Sequence, residues 1–291
     1  MPRTVWYPGH MAKGTRKLNE IVSKLDLVVE VRDARAPAST SSPLIKALSK
    51  IKPVIHVLSH KDLADSEKLK IWLKELKFTY AADLRKREGL SNIKKEIMKF
   101  KPSHREVRLA VVGIPNVGKS LLLNSLISKA SANVGNIPGI TKSVNWYRND
   151  GMLIVDSPGI LDPHAEEGAH LILSWIGCAK AEVVGGYENA AIALIKFLSA
   201  KEMFSLIPVE YNENENENKD EFLTAPALTL EKIGRKYGCL ISGGRVNMEL
   251  AGQKFIEAFS SGRLGAVCLE LPNEKRAIDF DYNQNETAEF V

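Results

Sequence analysis

Cysteine is scarce in this sequence. Its three cysteines, Cys178, Cys239 and Cys268, are odd in number and far apart. That excludes a disulfide framework and a Cys-rich metal site, and makes buried thiols in a reducing compartment the expectation. Long apolar runs are missing as well. None reaches the ~18 residues of a membrane-spanning helix. The opening Met1-Pro2-Arg3-Thr4-Val5-Trp6 has neither the apolar core of a secretory signal nor transit-peptide character. A cytoplasmic chain with no membrane partner is therefore expected.

What is present describes an ordinary globular protein, with 44% hydrophobic and 26% charged residues. A length of 291 residues suffices for two cores. Charge is unevenly placed. Residues 1–108 hold 24 Lys+Arg against 12 Asp+Glu, and the rest hold 16 against 23, so +12 and −7 give the net +5. A basic first half points to a polyanionic partner, and nucleic acid fits better than a membrane because no anchor is visible.

Apolar runs rich in β-branched residues occur at 25–31, 54–58, 107–112 and 152–155. Amphipathic helical stretches occur at 12–24, 43–50, 66–77, 90–100 and 119–130. This alternation predicts a mostly parallel sheet with helices on both faces. Residues 146–155, with Asn149-Asp150-Gly151 at the centre, read as a hairpin. Beyond residue 163 helical periods dominate, at 169–177, 188–204, 229–237 and 246–260. The expected organisation is an α/β domain over 1–163, a smaller all-helical domain over 164–280 and a loose polar tail at 281–291. The Asn/Glu-rich stretch 211–220 should be a mobile solvated loop.

The chemistry is concentrated in Gly113-Ile114-Pro115-Asn116-Val117-Gly118-Lys119-Ser120. This octapeptide satisfies the phosphate-loop pattern G-x-x-x-x-G-K-[ST], between a β-type run and a helical run as that motif requires. Its glycines let backbone N–H groups turn toward phosphate, and the helix N-terminus adds a positive dipole end. Lys119 supplies a cation for the β/γ-phosphates and Ser120 a hydroxyl for Mg²⁺. Asp156-Ser157-Pro158-Gly159 ends a later β-run. There Asp156 can hold Mg²⁺ through water, and Gly159 can bring its N–H to a γ-phosphate. Thr141, in the Pro138-Gly139-Ile140-Thr141 loop, offers a further hydroxyl to Mg²⁺.

Guanine recognition needs a carboxylate facing the base N1 and N2 hydrogens. Ordinary GTPases take it from Asn-Lys-x-Asp after the phosphate loop, and nothing after residue 120 fits. Upstream, a β-run leads into Ser59-His60-Lys61-Asp62, with Asp62 where a guanine-reading carboxylate belongs. The order is base motif, phosphate loop, Thr loop, D-x-P-G, which is a circular permutation.

Two further segments are narrower signals: Trp6-Tyr7-Pro8-Gly9-His10-Met11-Ala12-Lys13 and Val29-Glu30-Val31-Arg32-Asp33-Ala34-Arg35-Ala36-Pro37. With Gly238-Cys239-Leu240, Gly243-Gly244 and Ser261-Gly262-Arg263-Leu264-Gly265 late in the chain, the sequence resembles the YlqF/RbgA family of circularly permuted ribosome-assembly GTPases. The similarity spans about 5–271.

The resemblance implies a P-loop NTPase fold, a permuted Ras-like G domain followed by a helical RNA-binding domain. It implies that Gly113, Asn116, Val117, Gly118, Lys119 and Ser120 hold phosphates, with Asn116 also at the position of a K⁺ ligand. Thr141 matches the switch threonine, and Asp156 and Gly159 the Mg²⁺ and γ-phosphate contacts. Ile160 stands where Ras-like enzymes carry the water-orienting Gln, and the family's substitute is the histidine of the opening motif, here His10. The second base-contacting loop falls near Ala81.

The chain departs from the family pattern in two places. Ser59 replaces the Asn that ties the base motif to the phosphate loop, and His60 replaces a Lys whose stem covers the base, where a His ring could stack instead. Weaker nucleotide affinity is expected, by about 1–2 kcal/mol if one charged-type hydrogen bond is lost. Leu121 replaces a hydroxyl residue, giving up a contact to the α-phosphate while its N–H stays.

The implied function is a GTP-hydrolysing switch on the precursor of the large ribosomal subunit and its rRNA, slow alone and activated by the particle. The implied protein is a monomer using Mg²⁺ and K⁺. Candidate RNA contacts are Arg3, Lys13, Arg16, Lys17, Arg32, Arg35, Arg245 and Arg263. An alternative keeps the fold as an RNA-binding assembly factor with weak or no GTPase activity. A nucleotide-dependent tRNA-modification partner is disfavoured because no catalytic constellation lies outside the G-site.

Overall fold

The computed structural model describes residues 16, 18, 20–127, 133–134, 146–156, 167–209 and 222–272. Among them, seven strands form one sheet: β1 (Leu27–Asp33), β2 (Val54–Ser59), β3 (Thr79–Ala81), β4 (Val107–Val112), β5 (Asn133–Val134), β6 (Trp146–Asn149) and β7 (Met152–Asp156). The spatial order is β3-β2-β1-β4-β7-β6-β5. Pairing is parallel from β3 through β7 and antiparallel from β7 to β5. The hairpin turns at Asp150 and Gly151, whose φ values of 44° and 75° suit a tight two-residue reversal.

The strands bury both faces, as their near-continuous apolar sequence requires. Val29, Val31, Leu109 and Val111 pack on one side with α3 (Leu90–Met98) and α4 (Lys119–Leu126). Val28, Ala110 and Val112 pack on the other with Leu18, Ile21 and α1 (Ile45–Leu48). This is the period-2 alternation of a strand read twice. A smaller cluster sets Leu69 and Trp72 of α2 (Ser66–Glu75) against Ala34, Leu58 and Cys268. The α/β class expected from the sequence is the one observed.

Four helices of nine or more residues follow among the described residues: α5 (Glu167–Trp175), α6 (Tyr187–Ala200), α7 (Pro226–Lys236) and α8 (Met248–Ser260). Pro226 sits at the start of α7, and the Asn247 side chain caps α8 by accepting from the Leu250 N–H at 3.0 Å. The helices α6 and α8 come so close that a Cβ on Gly252 would lie 2.4 Å from the Tyr187 carbonyl oxygen.

Past α8 the chain turns back. The Val267 and Leu269 N–H groups donate to the carbonyls of Leu63 and Arg35 at 3.0 and 2.8 Å. Trp72 Nε1 donates to the Glu270 carbonyl at 2.9 Å, and the Glu270 carboxylate accepts from the Ala38 and Ser39 N–H groups. Residues 267–270, which the sequence assigns to the helical domain, thus lie on the α/β part. All three cysteines are buried, and burial pushes the Cys268 thiol up to about 12.

β1 buries its three charged residues, Glu30, Arg32 and Asp33, and Arg35 just beyond it is buried too, which corrects two sequence expectations. Arg32 is 7% exposed and Arg35 is 3% exposed, so neither is available to RNA. Arg32 Nε donates to Glu30 Oε2 at 2.7 Å and its Nη1 to the Pro37 carbonyl at 3.2 Å. Burial alone would raise the Glu30 carboxyl, but hydrogen bonding to His56, the Arg32 charge and the Ser42 N–H together hold it below the ordinary range. Arg35 clasps Asp33 through Nε and Nη2 at 2.9 and 2.8 Å. Charged residues at this density read as surface in sequence; here they pair inward.

Candidate nucleotide site

In a parallel sheet the loops at the carboxyl ends of the strands form the binding crevice. Residues 113–118, between β4 and α4, occupy that place at the centre of the sheet. Gly113 has φ 156°, and a Cβ there would lie 2.6 Å from the Val31 carbonyl oxygen, so only glycine lets the loop leave β4 this close to β1. Asn116 adopts a left-handed φ of 61°, a conformation that Asn tolerates. Gly118, at φ 94°, immediately precedes α4 and leads the free N–H groups of its first turn.

Lys119 is buried, and its Nζ donates to the Ile114 carbonyl of its own loop at 2.7 Å. Burial lowers its pKa, and the Asp156 carboxylate only partly opposes this. Asp156 is raised by burial and partly relieved by Lys119. Each ion is thus under-compensated, and an arriving polyanion with a divalent cation would stabilise both. Asp156 pairs in register with Val111 across β4 and β7, which sets its carboxylate beside the start of the phosphate loop. The exposed Ser120 hydroxyl and the Asp156 carboxylate are hard oxygen donors that fit Mg²⁺.

The base motif lies next to this loop. Ser59, His60 and Asp62 line one cleft together with Leu121 of α4 and with Asp83, Leu84 and Arg85. Residues far apart in sequence thereby form one site. Asp62 is exposed within the 3-10 turn Lys61–Leu63, where its carboxylate is free to meet a base edge. Lys61 and Ala81 line a different cleft, with Leu73, Thr79, Tyr80, Gly89 and Asn92. Residues 83–85, just past Ala81 and not singled out from the sequence, line the first cleft. The clue in sequence was Asp83 itself, whose Oδ1 accepts from the Arg85 and Lys86 N–H groups at 3.0 and 3.1 Å and folds that turn inward.

Ser59 keeps the tie that its replacement of Asn was expected to lose. Its Oγ donates to the Val117 carbonyl at 2.6 Å, with the Arg32 carbonyl also within 3.0 Å. His60 stands at φ 53° and turns its ring inward, Nδ1 lying 3.0 Å from Asp33 Oδ2 and 3.1 Å from Ser59 Oγ. It walls the cleft while anchored beneath it. We expect Ser59→Ala to lower nucleotide affinity about fivefold, near 1 kcal/mol for one buried hydrogen bond. Calorimetric titration with GDP checks this, and unchanged affinity would show that the hydroxyl does not brace the loop.

His10, Thr141, Gly159 and Ile160 lie outside the described residues, as do Arg3, Lys13, Lys17 and the stretch 211–220. Arg16, Arg245 and Arg263 are exposed.

Residues 108–214 match the family described as 50S ribosome-binding GTPase. Ribosome biogenesis GTPase A of Bacillus licheniformis is 33% identical over 92% of this chain and 98% of its own. The chain belongs to the ribosome biogenesis GTPase A (YlqF/RbgA) family. Another relative at 33% identity is mouse mitochondrial ribosome-associated GTPase 1, covering 91% of this chain and 89% of that protein. The GNP-bound YlqF of Thermotoga maritima superposes with a TM-score of 0.61 at 26% identity, over 90% of this chain and 99% of that one. The family's permuted order is the one found here, since β2 and its base motif precede the phosphate loop and still lie beside it.

Proposed function

We propose that this chain binds and hydrolyses GTP as a switch in assembly of the large ribosomal subunit. The observation that carries the reading is the cleft shared by Asp62 and Leu121, where a guanine-reading carboxylate meets the helix that follows the phosphate loop. Catalysis at such a site is mainly positioning and charge neutralisation. Lys119 and the N–H groups at the start of α4 stabilise the β/γ charge. Ser120 and Asp156 would hold Mg²⁺, which would supply a further positive charge to the polyphosphate. Thr141 and Gly159 are assigned to γ-phosphate sensing, His10 to the attacking water, and Asn116 to a K⁺ ion. Hydrolysis is slow in the isolated monomer and accelerated by the particle. Because Ser59 still braces Val117, the reading as an RNA-binding factor without nucleotide chemistry has less support.

Residues 1–163 form the proposed GTPase domain and 164–280 the proposed RNA-binding helical domain, with 267–270 lying on the former. With Arg32 and Arg35 buried, the positive excess falls on exposed Lys70, Lys74 and Lys77 and on Arg85, Lys86 and Arg87. These side chains, with Arg16, Arg245 and Arg263, are the proposed rRNA contacts in the cytoplasm. Binding to purified large subunits should be at least tenfold tighter with the imido analogue of GTP than with GDP. It should weaken steeply with salt, on the order of 10³-fold from 50 to 200 mM for several phosphate contacts. Equal affinity for the particle in both nucleotide states would remove the switch.

A further inference from the structure

Two helices of the helical region end on the α/β part, α5 against the phosphate loop and α8 against Arg35, and each presents its carbonyl end. Arg35 Nη2 donates to the Ile176 carbonyl just past α5 at 3.0 Å, and Nη1 donates to the Ser260 carbonyl at the end of α8 at 2.6 Å. One residue beyond Ile176, the Gly177 carbonyl accepts from Asn116 Nδ2 of the phosphate loop at 3.2 Å. The turn itself is held from behind, because the Cys178 N–H returns to the Leu173 carbonyl at 2.8 Å.

Helix carboxyl ends carry partial negative charge. Setting them beside a polyphosphate site is unfavourable unless donors stand between. Arg35 and Asn116 are those donors, but they differ in freedom. Arg35 is buried and clasped by Asp33, whereas Asn116 is exposed and sits on the phosphate loop itself. Its amide offers two N–H donors and one acceptor oxygen, but they turn together, so swinging the amide toward a ligand at the loop would carry Nδ2 away from the Gly177 carbonyl.

We propose that Asn116 is a positioning residue that couples the phosphate loop to the helical region, by giving up the Gly177 carbonyl when a triphosphate occupies the loop. This rests on the GTP reading above. A ligand moves an equilibrium only through different contacts with its two states, and Asn116 supplies that difference. Linkage then makes the effect mutual: whatever holds the helices in one seating alters the affinity for triphosphate by the same factor.

The test is hydrogen exchange of the full chain, with Mg²⁺ and either saturating GDP or the saturating imido analogue of GTP. It is read at the amides of Gly177, Cys178 and Ala179. Exchange should be at least threefold faster with the analogue than with GDP. In Asn116→Gly, which keeps the left-handed backbone without strain, the two ligands should give equal rates. Asn116→Asp, which removes the donor and preserves the shape, should do the same. A merely structural Asn116 would speed exchange equally with both ligands and leave the parent's ratio intact, and that result overturns the proposal. So does a parent chain that binds both ligands and exchanges equally with each. Titration beforehand separates the cases: a chain that binds neither nucleotide overturns this proposal and the GTPase reading together.

Discussion

Asp62→Asn is expected to turn a guanine site into a xanthine site. A carboxylate accepts from both N1–H and the exocyclic N2 of guanine, and charged acceptors make hydrogen bonds worth about 1.5–3 kcal/mol each. Replacing it with an amide removes the charge and sets a donor against a donor. GTP affinity should fall by on the order of a hundredfold, near 3 kcal/mol. Xanthine carries a carbonyl where guanine carries the amine, so the same amide gains a partner, and XTP affinity should rise by a comparable factor. The backbone around Asp62 is fixed independently of its side chain, since the Lys61 N–H donates to the Ala82 carbonyl and the Leu63 N–H to the His60 carbonyl. The exposed carboxylate can therefore be changed without unfolding the site, and the melting temperature should stay within a degree or two. Competition binding with GTP, ATP and XTP is the measurement. A parent chain indifferent to the base, or a variant that gains nothing toward XTP, would dissociate Asp62 from base recognition.

The features that drive this prediction were legible in sequence because they are local. A phosphate loop is a contiguous octapeptide, and β1, β2, β4 and β7 are runs long enough to show their apolar character. Even the permuted order could be read, since order is a one-dimensional property. β3 and β5 could not be found this way. At three and two residues they have too little length for any periodicity, and their strand character comes from pairing with β2 and β6. The place of Asp83, Leu84 and Arg85 in the cleft lining was hidden for the same reason, because the loop register depends on where β3 stops. Arg32 and Arg35 were misplaced for another reason. Composition assigns charge to the surface, and only the fold reveals that Glu30 and Asp33 lie on the same buried strand to receive them. The Ser59 tie was misjudged because a short side chain reaches only if the backbones approach closely. A Cβ on Gly118 would stand 3.4 Å from the Ser59 Cβ, which is that approach.

Arg35→Ala should produce a large loss of stability, comparable to truncating a buried aromatic side chain. Asp33 is 0% exposed, and without the Arg35 side chain its carboxylate keeps the His60 ring and the backbone N–H at position 35, which donates to Oδ1 at 2.9 Å, but no full charge. Removing one partner of a buried ion pair costs about 3–5 kcal/mol, a large part of the ~5–15 kcal/mol that holds a domain folded. The Ile176 and Ser260 carbonyls lose their donor at the same time, so the seating of α5 and α8 loosens with the core. The pH dependence separates this cause from a general packing defect. Burial alone would raise the Asp33 carboxyl, but the Arg35 charge and hydrogen bonds, with help from His60, hold it far below its ordinary value of 3.8. A carboxyl depressed in the folded state contributes stability that is present above the unfolded value and lost as pH falls below it toward the folded one. The parent should therefore lose this contribution below about pH 4. In Arg35→Ala burial is opposed only by His60 and the backbone N–H at position 35, and the carboxyl rises, so the folded state takes up the proton more readily than the unfolded chain does. The deficit against the parent should then shrink as pH falls from 7 to 4, where an Ala cavity alone would give a constant offset. Urea denaturation across that range reads both quantities. A variant within about 1 kcal/mol of the parent at neutral pH, or a deficit independent of pH, would mean that the Asp33–Arg35 clasp does not hold the two parts of the fold together.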